Sequence, residues 1–425
     1  MEMLDIDRAV VSLALARMVD SFGNSFLIIV LPLYIARGIS GGFFGLQESL
    51  LTGLILSMFG FLNSFGQPFT GRFSDRLGRR RVFVLAGLSV LCVASFAYSF
   101  ATSYAALFVI RAAQGVGAAL TIPATVALID EYATDTSRGS NMGVYNTFRL
   151  VGFGLGPVVA GSVVHLGPYH VSALNGTYSI SGFNAAFYIA AGAILTSLLV
   201  VAAFVKDSPQ TESTTEELSV SVFSNGRTTL DPVFTLSLAS LFMAISIALL
   251  STIEPHVNRR LHQTAAMFGV QFGAFVVAQV LFQTPIGHAS DRYGRRPFIV
   301  IGMLLLVPST LVQGFIGTSW GLVIARFAQG IAGAMVFAPA LALAGDFALE
   351  GHSGTQLSLL TMTFGLGTAI GPLTSGFLIR FGYPVPFVFG AALALVGTLL
   401  VLTQVYDPGK PSGETTIGEP STPDD

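Results

Sequence analysis

The stretch Gly71-Arg72-Phe73-Ser74-Asp75-Arg76-Leu77-Gly78-Arg79-Arg80 returns 216 residues later as Gly287-His288-Ala289-Ser290-Asp291-Arg292-Tyr293-Gly294-Arg295-Arg296. Working outward, Arg111-Ala112-Ala113-Gln114-Gly115 recurs as Arg326-Phe327-Ala328-Gln329-Gly330. Gly156-Pro157 with Gly161 recurs as Gly371-Pro372 with Gly376. Three matches in one order make the chain two six-helix halves of one design. Internal repeats of this kind are typical of membrane carriers, whose substrate site lies near the midplane between the repeats.

Composition agrees. Of 425 residues only 10% are charged and 52% are hydrophobic, against roughly 25% charged in soluble proteins; the mean hydropathy is +0.71. A soluble fold of this size could not cover its surface with so few charges, which excludes an ordinary soluble enzyme, a nucleic-acid binder and a disordered chain. A net charge of -2 offers no polybasic surface. Cys92 alone excludes a disulfide framework and a thiolate metal cluster. The six histidines fall at loops or helix ends. No His-Glu-x-x-His or phosphate-cradling Gly-x-x-x-x-Gly-Lys-Ser/Thr pattern occurs. We therefore expect no enzyme activity, no metal, no cofactor and no direct drive by ATP.

A bilayer-spanning helix needs about 20 apolar residues. Twelve such runs occur, near 11–35, 47–70, 82–100, 105–129, 141–165, 183–205, 231–253, 267–286, 298–316, 320–345, 355–380 and 385–405. Backbone amides in lipid must pair within their own segment, so these runs are expected to be helices. The expected architecture is an all-α membrane protein of two pseudo-symmetric six-helix bundles, 1–205 and 231–405, with a cytoplasmic linker at 206–230 and a disordered tail at 406–425. Glu2, Asp5 and Asp7 make the start acidic, unlike a cleaved signal peptide, so the first helix is expected to be retained. With the N-terminus cytoplasmic, thirteen Lys and Arg fall inside and four outside (Arg37, Arg259, Arg260 and Arg380), which places both termini in the cytoplasm of a plasma-membrane protein. Asn175-Gly176-Thr177 fits a glycosylation acceptor in an outer loop.

These motifs resemble the major facilitator superfamily over residues from about 10 to 405. The Gly-x-x-x-Asp-Arg-x-Gly-Arg-Arg loop is that family's best-known signature and stands intact in both halves. Arg111-x-x-Gln114-Gly115-x-Gly117 resembles its second motif, typical of proton-coupled members. Gly152-x-x-x-Gly156-Pro157-x-x-Ala160-Gly161 resembles the exporter motif, with Ala160 replacing a usual glycine. Asp20-x-x-Gly23 followed by Leu31-Pro32 is similar to drug–proton antiporters. The resemblance implies the major facilitator fold, alternating access, a charge network that latches the outward-facing state through the two loops, and a proton-transfer or acid-partner role for Arg111.

The residues can also be weighed on their own chemistry. Arg17, Asp20 and Asn24 share one face of the first helix. A carboxyl near the bilayer midplane is costly, which makes Asp20 a candidate for proton coupling or substrate binding; the alternative is a permanent Arg17–Asp20 pair that only fixes packing. Arg111 and Gln114 share a face of span four, and Arg149 lies on span five, so all three could line one cavity. Arg149 could bind an anionic substrate, pair with Glu48 or Asp20, or serve structure alone. Arg326 and Gln329 are repeat counterparts and possible remnants of duplication.

Glu48 and Glu254 fall near the outer ends of spans two and seven, where carboxylates are often simply solvated. Gln271, Gln279 and Gln283 on span eight are pocket candidates, since an amide facing lipid is expensive. In the two loops, Gly78 and Gly294 permit the tight turn, and Asp75 and Asp291 can pair with loop arginines (Arg76, Arg79, Arg80; Arg292, Arg295, Arg296) or meet a helix N-terminus. Alternatively, the arginines only set topology and bind headgroups. Gly71 and Gly287 open these stretches. Gly152, Gly156 and Gly161 on span five, and Gly367, Gly371 and Gly376 on span eleven, allow close helix contact with the other half. Pro157 and Pro372 are expected to bend those helices.

The best-supported expectation is a monomeric, proton-coupled exporter of lipophilic or drug-like small molecules, with the bilayer, protons and substrate as partners and no nucleic acid. Transport of a small metabolite, sugar or organic anion is the alternative.

Overall fold

The computed structural model describes residues 8–37, 46–132, 138–173, 176–207, 230–347 and 353–406. Twelve helices are long and apolar enough to cross a bilayer. They are α1 (Arg8–Ala36), α2 (Glu48–Leu77), α3 (Arg80–Ala97), α4 (Tyr104–Glu131), α5 (Arg138–Leu166), α6 (Gly182–Phe204), α7 (Pro232–Ala248), α9 (Ala265–Tyr293), α10 (Arg295–Leu311), α11 (Ser319–Asp346), α12 (Ser353–Leu378) and α13 (Val385–Gln404). A thirteenth helix, α8 (Glu254–Arg260), is too short to span.

Three features depart from the sequence expectation. The charged repeats are mostly helix: α2 runs to Leu77 and α9 to Tyr293, so Gly71–Arg76 and Gly287–Arg292 form last turns, and only Gly78 (φ 59°) and Gly294 (φ 100°) make the reversals. Left-handed backbone at those positions costs glycine nothing. The seventh span stops at Ala248 and the chain restarts as α8, with Pro255, which lacks an N–H, in its first turn. A two-stranded hairpin, β1 (Tyr169–Ala173) with β2 (Gly176–Ile180), joins α5 to α6 where a simple loop was expected; its alternating aromatic and β-branched residues suit a strand. Residues 208–229 of the linker, 407–425 of the tail, and Asn175 lie outside the described residues.

The α2–α3 and α9–α10 turns mark one face of the molecule, the loop face. The hairpin and α8 mark the other, the capped face. Helices α1–α6 pack as one bundle through α1–α5, α2–α4, α3–α4, α1–α6 and α3–α6. The second bundle repeats the pattern through α7–α12, α9–α11, α10–α11, α7–α13 and α10–α13. The bundles meet along two seams, α2 on α12 and α5 on α9.

Packing rather than the hydrophobic effect must hold helices together in lipid, so the seams use small residues. Gly53 lets the Pro372 carbonyl approach so closely that a Cβ there would lie 2.5 Å from its oxygen. Ser57 donates to the Ala369 carbonyl at 2.5 Å, and Gly365 packs on Ser64. On the other seam Gly269 meets the Pro157 carbonyl and Gly273 meets Val158. The exporter-motif glycines divide by position, which corrects their expected placement. Gly152 and Gly156 pack on Met18 and Phe22 of α1 within their own bundle, and Gly367 and Gly371 likewise on Leu241 and Ile245 of α7. Gly161 and Gly376 are the ones that cross, onto Ala265 and Ser49.

The apolar core is not evenly distributed. At the capped face one cluster joins both bundles, uniting Phe26, Leu31 and Ile35 of α1 with Leu250, Ile253, Val257, Leu261 and Phe268. Toward the loop face each bundle has its own cluster, around Val84, Leu128 and Val201 in the first and Ile299, Val336 and Val401 in the second. The halves are thus sealed by the large shared cluster at the capped face, while deeper in, among the described residues, only the small cluster of Leu150 with Phe275 and Val276 joins α5 to α9.

Candidate functional site

Four polar groupings carry the chemistry. The first is on α1. Arg17 and Asp20, one turn apart, form an ion pair at 2.5 Å, and Asp20 is only 4% exposed. They border a void of about 10 Å³ with Thr121, Thr125 and Ser197, inside the first bundle and bounded by α3, α4 and α6. That is about the space one water needs. Asn24 lies on the same helix, its buried Oδ1 without a partner among the described residues. Tyr145 and Arg149 of α5 stand within electrostatic range of Arg17. Arg149 donates to Asn146 at 3.0 Å rather than pairing with Glu48, which is exposed at the start of α2.

The second grouping surrounds Arg111 on α4. Its guanidinium stacks on Phe59 of α2 at 4.6 Å and donates to Gln114 at 2.9 Å. Gln114 donates to Ser95 and accepts from Tyr98, at 2.9 and 3.0 Å. Arg111 and Gln114 thus belong to an α2–α3–α4 network and do not share a cavity with Arg149, as the sequence had allowed.

The third grouping is its repeat. Arg326 of α11 stacks on Phe275 at 4.8 Å and Phe272 at 5.1 Å, and donates to Gln329 at 2.5 Å. Gln329 donates to Thr310 at 3.0 Å. Arg326 is 0% exposed, yet its Nε and Nη2 have no hydrogen-bond partner among the described residues. Phe59 and Phe275, Ser95 and Thr310, and Tyr98 and Gln313 all keep the repeat spacing, a signal that would have exposed the whole network in the sequence.

The fourth is a cavity of about 400 Å³ between the bundles, on the loop-face halves of α5 and α9. Asn146, Thr147, Gln283 and Thr284 supply its polar groups, and Phe148, Leu150 and Val280 its apolar wall. Gln283 is thus a cavity residue. Gln271 is not: it is fully buried at the capped end of α9 and bonded to Gln263 and to the Ser319 carbonyl. Gln279 is half-buried near Gly333.

The loop-face charges pair within their bundles. Arg80 pairs with Glu131 at 2.9 Å. Arg295 pairs with Asp346 and, at 3.1 Å, with Asp291. Arg81 donates to the Ala202 carbonyl at 2.6 Å, and Arg296 to that of Leu402 at 2.6 Å. Arg76, Arg79 and Arg292 are exposed; the Asp75 side chain lies outside the described residues. Glu131 and Asp346, which close these pairs, were missed in the sequence although they too obey the repeat spacing.

At the capped face Glu254 overturns its expected solvated setting: it is fully buried. Burial pushes its carboxyl well above the usual carboxylate range, and a weak 3.4 Å bond from Asn258 offsets this only in part. Burial and the nearby Arg259 push His256 down.

The family model described as Major Facilitator Superfamily matches residues 13–248 and 236–422. Multidrug resistance protein 1 of Bacillus subtilis (strain 168) is 29% identical over 175 residues, 41% of this chain and 45% of that protein. The synaptic vesicular amine transporter of Homo sapiens is 26% identical over 354 residues, 80% of this chain and 63% of that protein. In both cases less than two thirds of the relative's length is spanned. Among solved structures, a POT family transporter in complex with 5-aminolevulinic acid superposes with a TM-score of 0.75 at 15% identity, covering 93% of this chain and 95% of that one.

Proposed function

Since the chain belongs to the Major Facilitator Superfamily and is a multi-pass membrane transporter, we propose that it is a proton-coupled exporter of lipophilic or drug-like small molecules. Asp20 is the coupling carboxyl, working by alternating access. The observation that carries this is the Arg17–Asp20 pair: one ionisable pair, enclosed in the first bundle beside a water-sized void. The repeat supplies no second copy of it. A charge kept at that depth has a function by default. A proton arriving at Asp20 breaks the ion pair and leaves Arg17 uncompensated beside Tyr145 and the like-charged Arg149 on α5, the helix that forms one wall of the inter-bundle cavity.

That cavity has amides, hydroxyls and apolar side chains but no acid or base among its lining residues, which suits uncharged or amphiphilic compounds. The names of the relatives, a multidrug resistance protein and an amine transporter, point the same way. The loop face is cytoplasmic in this account, as the excess of arginine there favours, and the membrane is the plasma membrane. Asn24 lies on the coupling helix itself, Arg111 and Gln114 brace α4 against α2 and α3, and the chain works as a monomer.

A second reading, transport of an organic anion, is favoured by one feature: Arg326 is a buried cation with two unbonded nitrogens. Proteoliposomes with an imposed pH gradient distinguish the two. Gradient-driven movement of lipophilic dyes, with no response to organic anions, supports export of drug-like compounds. Dye-independent uptake of anions would replace it with the second.

A further inference from the structure

The register between α1 and α7 is set by their glycine contacts. Gly152 sits on Met18 and its repeat Gly367 on Leu241; Gly156 sits on Phe22 and Gly371 on Ile245. Both give an offset of 223, which also aligns Pro32 with Pro255. At that sequence offset Glu254 corresponds to Leu31, a fully buried residue of the first bundle, although α1 runs on unbroken there whereas α7 has ended at Ala248 and Glu254 opens α8. A carboxyl therefore stands at an apolar position of the capped-face seal. Its flanking residues Ile253 and Val257 belong to the cluster that joins the two bundles.

Among the described residues its surroundings supply no counter-charge. Asn258 gives the one bond recorded for it among the described residues, and its Oε2 has none. On its own helix His256 is pushed toward the neutral form, while Arg259 donates to the Pro255 carbonyl and Arg260 stacks on Tyr383. From the elements packed around it, Arg37 lies over Phe183, Arg380 over Phe377 and Phe381, Glu48 is exposed, and Gln263 and Gln271 bond each other.

We propose that Glu254 is a second protonation site of the transport cycle, a gating acid that is neutral while the capped face is sealed and ionises when water enters as that face opens. The proton comes from, and returns to, the compartment on that side, so it sets how readily the face opens rather than how many protons cross. This deepens the alternating-access reading and rests on it. The sign follows from linkage: the sealed form holds the proton more tightly, so acid favours sealing, and rising pH from the ordinary carboxylate range upward favours opening. With one proton involved, the open-to-sealed ratio rises by at most about tenfold per pH unit.

The test is a distance measurement between spin labels at Thr102→Cys and Gly317→Cys, exposed capped-face positions in the two bundles, in a Cys92→Ala background. Full-length protein in nanodiscs is titrated without substrate or gradient. The expected result is a longer-distance population that grows with pH in the parent. Glu254→Gln, or Glu254→Leu should the amide misfold, stays sealed throughout. The proposal is overturned if the parent shows no pH response or if the Glu254 variants titrate like the parent. Because no coupling is read, failure of Asp20 as the coupling carboxyl would leave this result unchanged.

Discussion

In the first bundle Arg111 lies over Phe59 and bonds Gln114; in the second Arg326 lies over Phe275 and bonds Gln329. Arg80 meets Glu131 as Arg295 meets Asp346. Along α1 and α7 the correspondence ends. Arg17 and Asp20 align with Ser240 and Met243, and Leu31 aligns with Glu254. The duplicated elements are those that fix helix against helix. The unduplicated ones are the buried carboxyls Asp20 and Glu254, with Arg17, whereas the buried cations Arg111 and Arg326 are kept in both halves. The carboxyls that break the symmetry therefore stand out as the proton chemistry.

The comparison can be broken most sharply at the packing glycines. Gly152→Leu and Gly367→Leu drive side chains into Met18 and Leu241 backbone, and each is expected to cost about 3 kcal/mol, the upper range for overpacking. Thermal unfolding in detergent should show similar losses, and a strongly unequal pair would refute the structural equivalence of α1–α5 and α7–α12. Arg80→Ala and Arg295→Ala sharpen it at the loop face. The Arg80–Glu131 side chains are each 10% exposed, whereas Asp346 is 44% exposed. The first substitution should cost about 2 kcal/mol and the second about 1 kcal/mol or less, since exposed pairs are screened. The smallest effect is expected between Arg111→Met and Arg326→Met. Arg326 donates to Gln329 and the Ile247 carbonyl and lies over two rings, while Arg111 donates to Gln114 and lies over one, so the two losses should agree to within about 1 kcal/mol. A clearly larger loss at either one would break the equivalence of the two networks.

Much of this was written in the sequence. Twelve spans and two bundles follow from run length and repetition, because lipid forbids unpaired backbone and leaves helices as the solution. The helix ends were less accessible: charges at Arg76 and Arg292 read as loop, yet a helix keeps them by projecting beyond the apolar layer until glycine ends it. Arg17–Asp20 was readable from one-turn spacing. Glu254 was not, because an acid beside Pro255 near a span end resembles a solvated rim residue, and only the short α8 folded back into the seal removes it from water. The partition of Gly152 from Gly161 also required the structure, since periodicity identifies a small face without saying which helix meets it.

The central claim is that Asp20 couples protons to transport. Its most direct test is gradient-driven movement of a lipophilic dye in proteoliposomes holding either the parent chain or Asp20→Asn, with matched incorporation and thermal unfolding profiles. The account predicts that the parent moves dye in response to the imposed pH gradient and that the folded Asp20→Asn protein loses this response by at least about tenfold, the scale of a single general acid–base contribution being larger still. Gradient-driven transport by Asp20→Asn at the parent rate would contradict it.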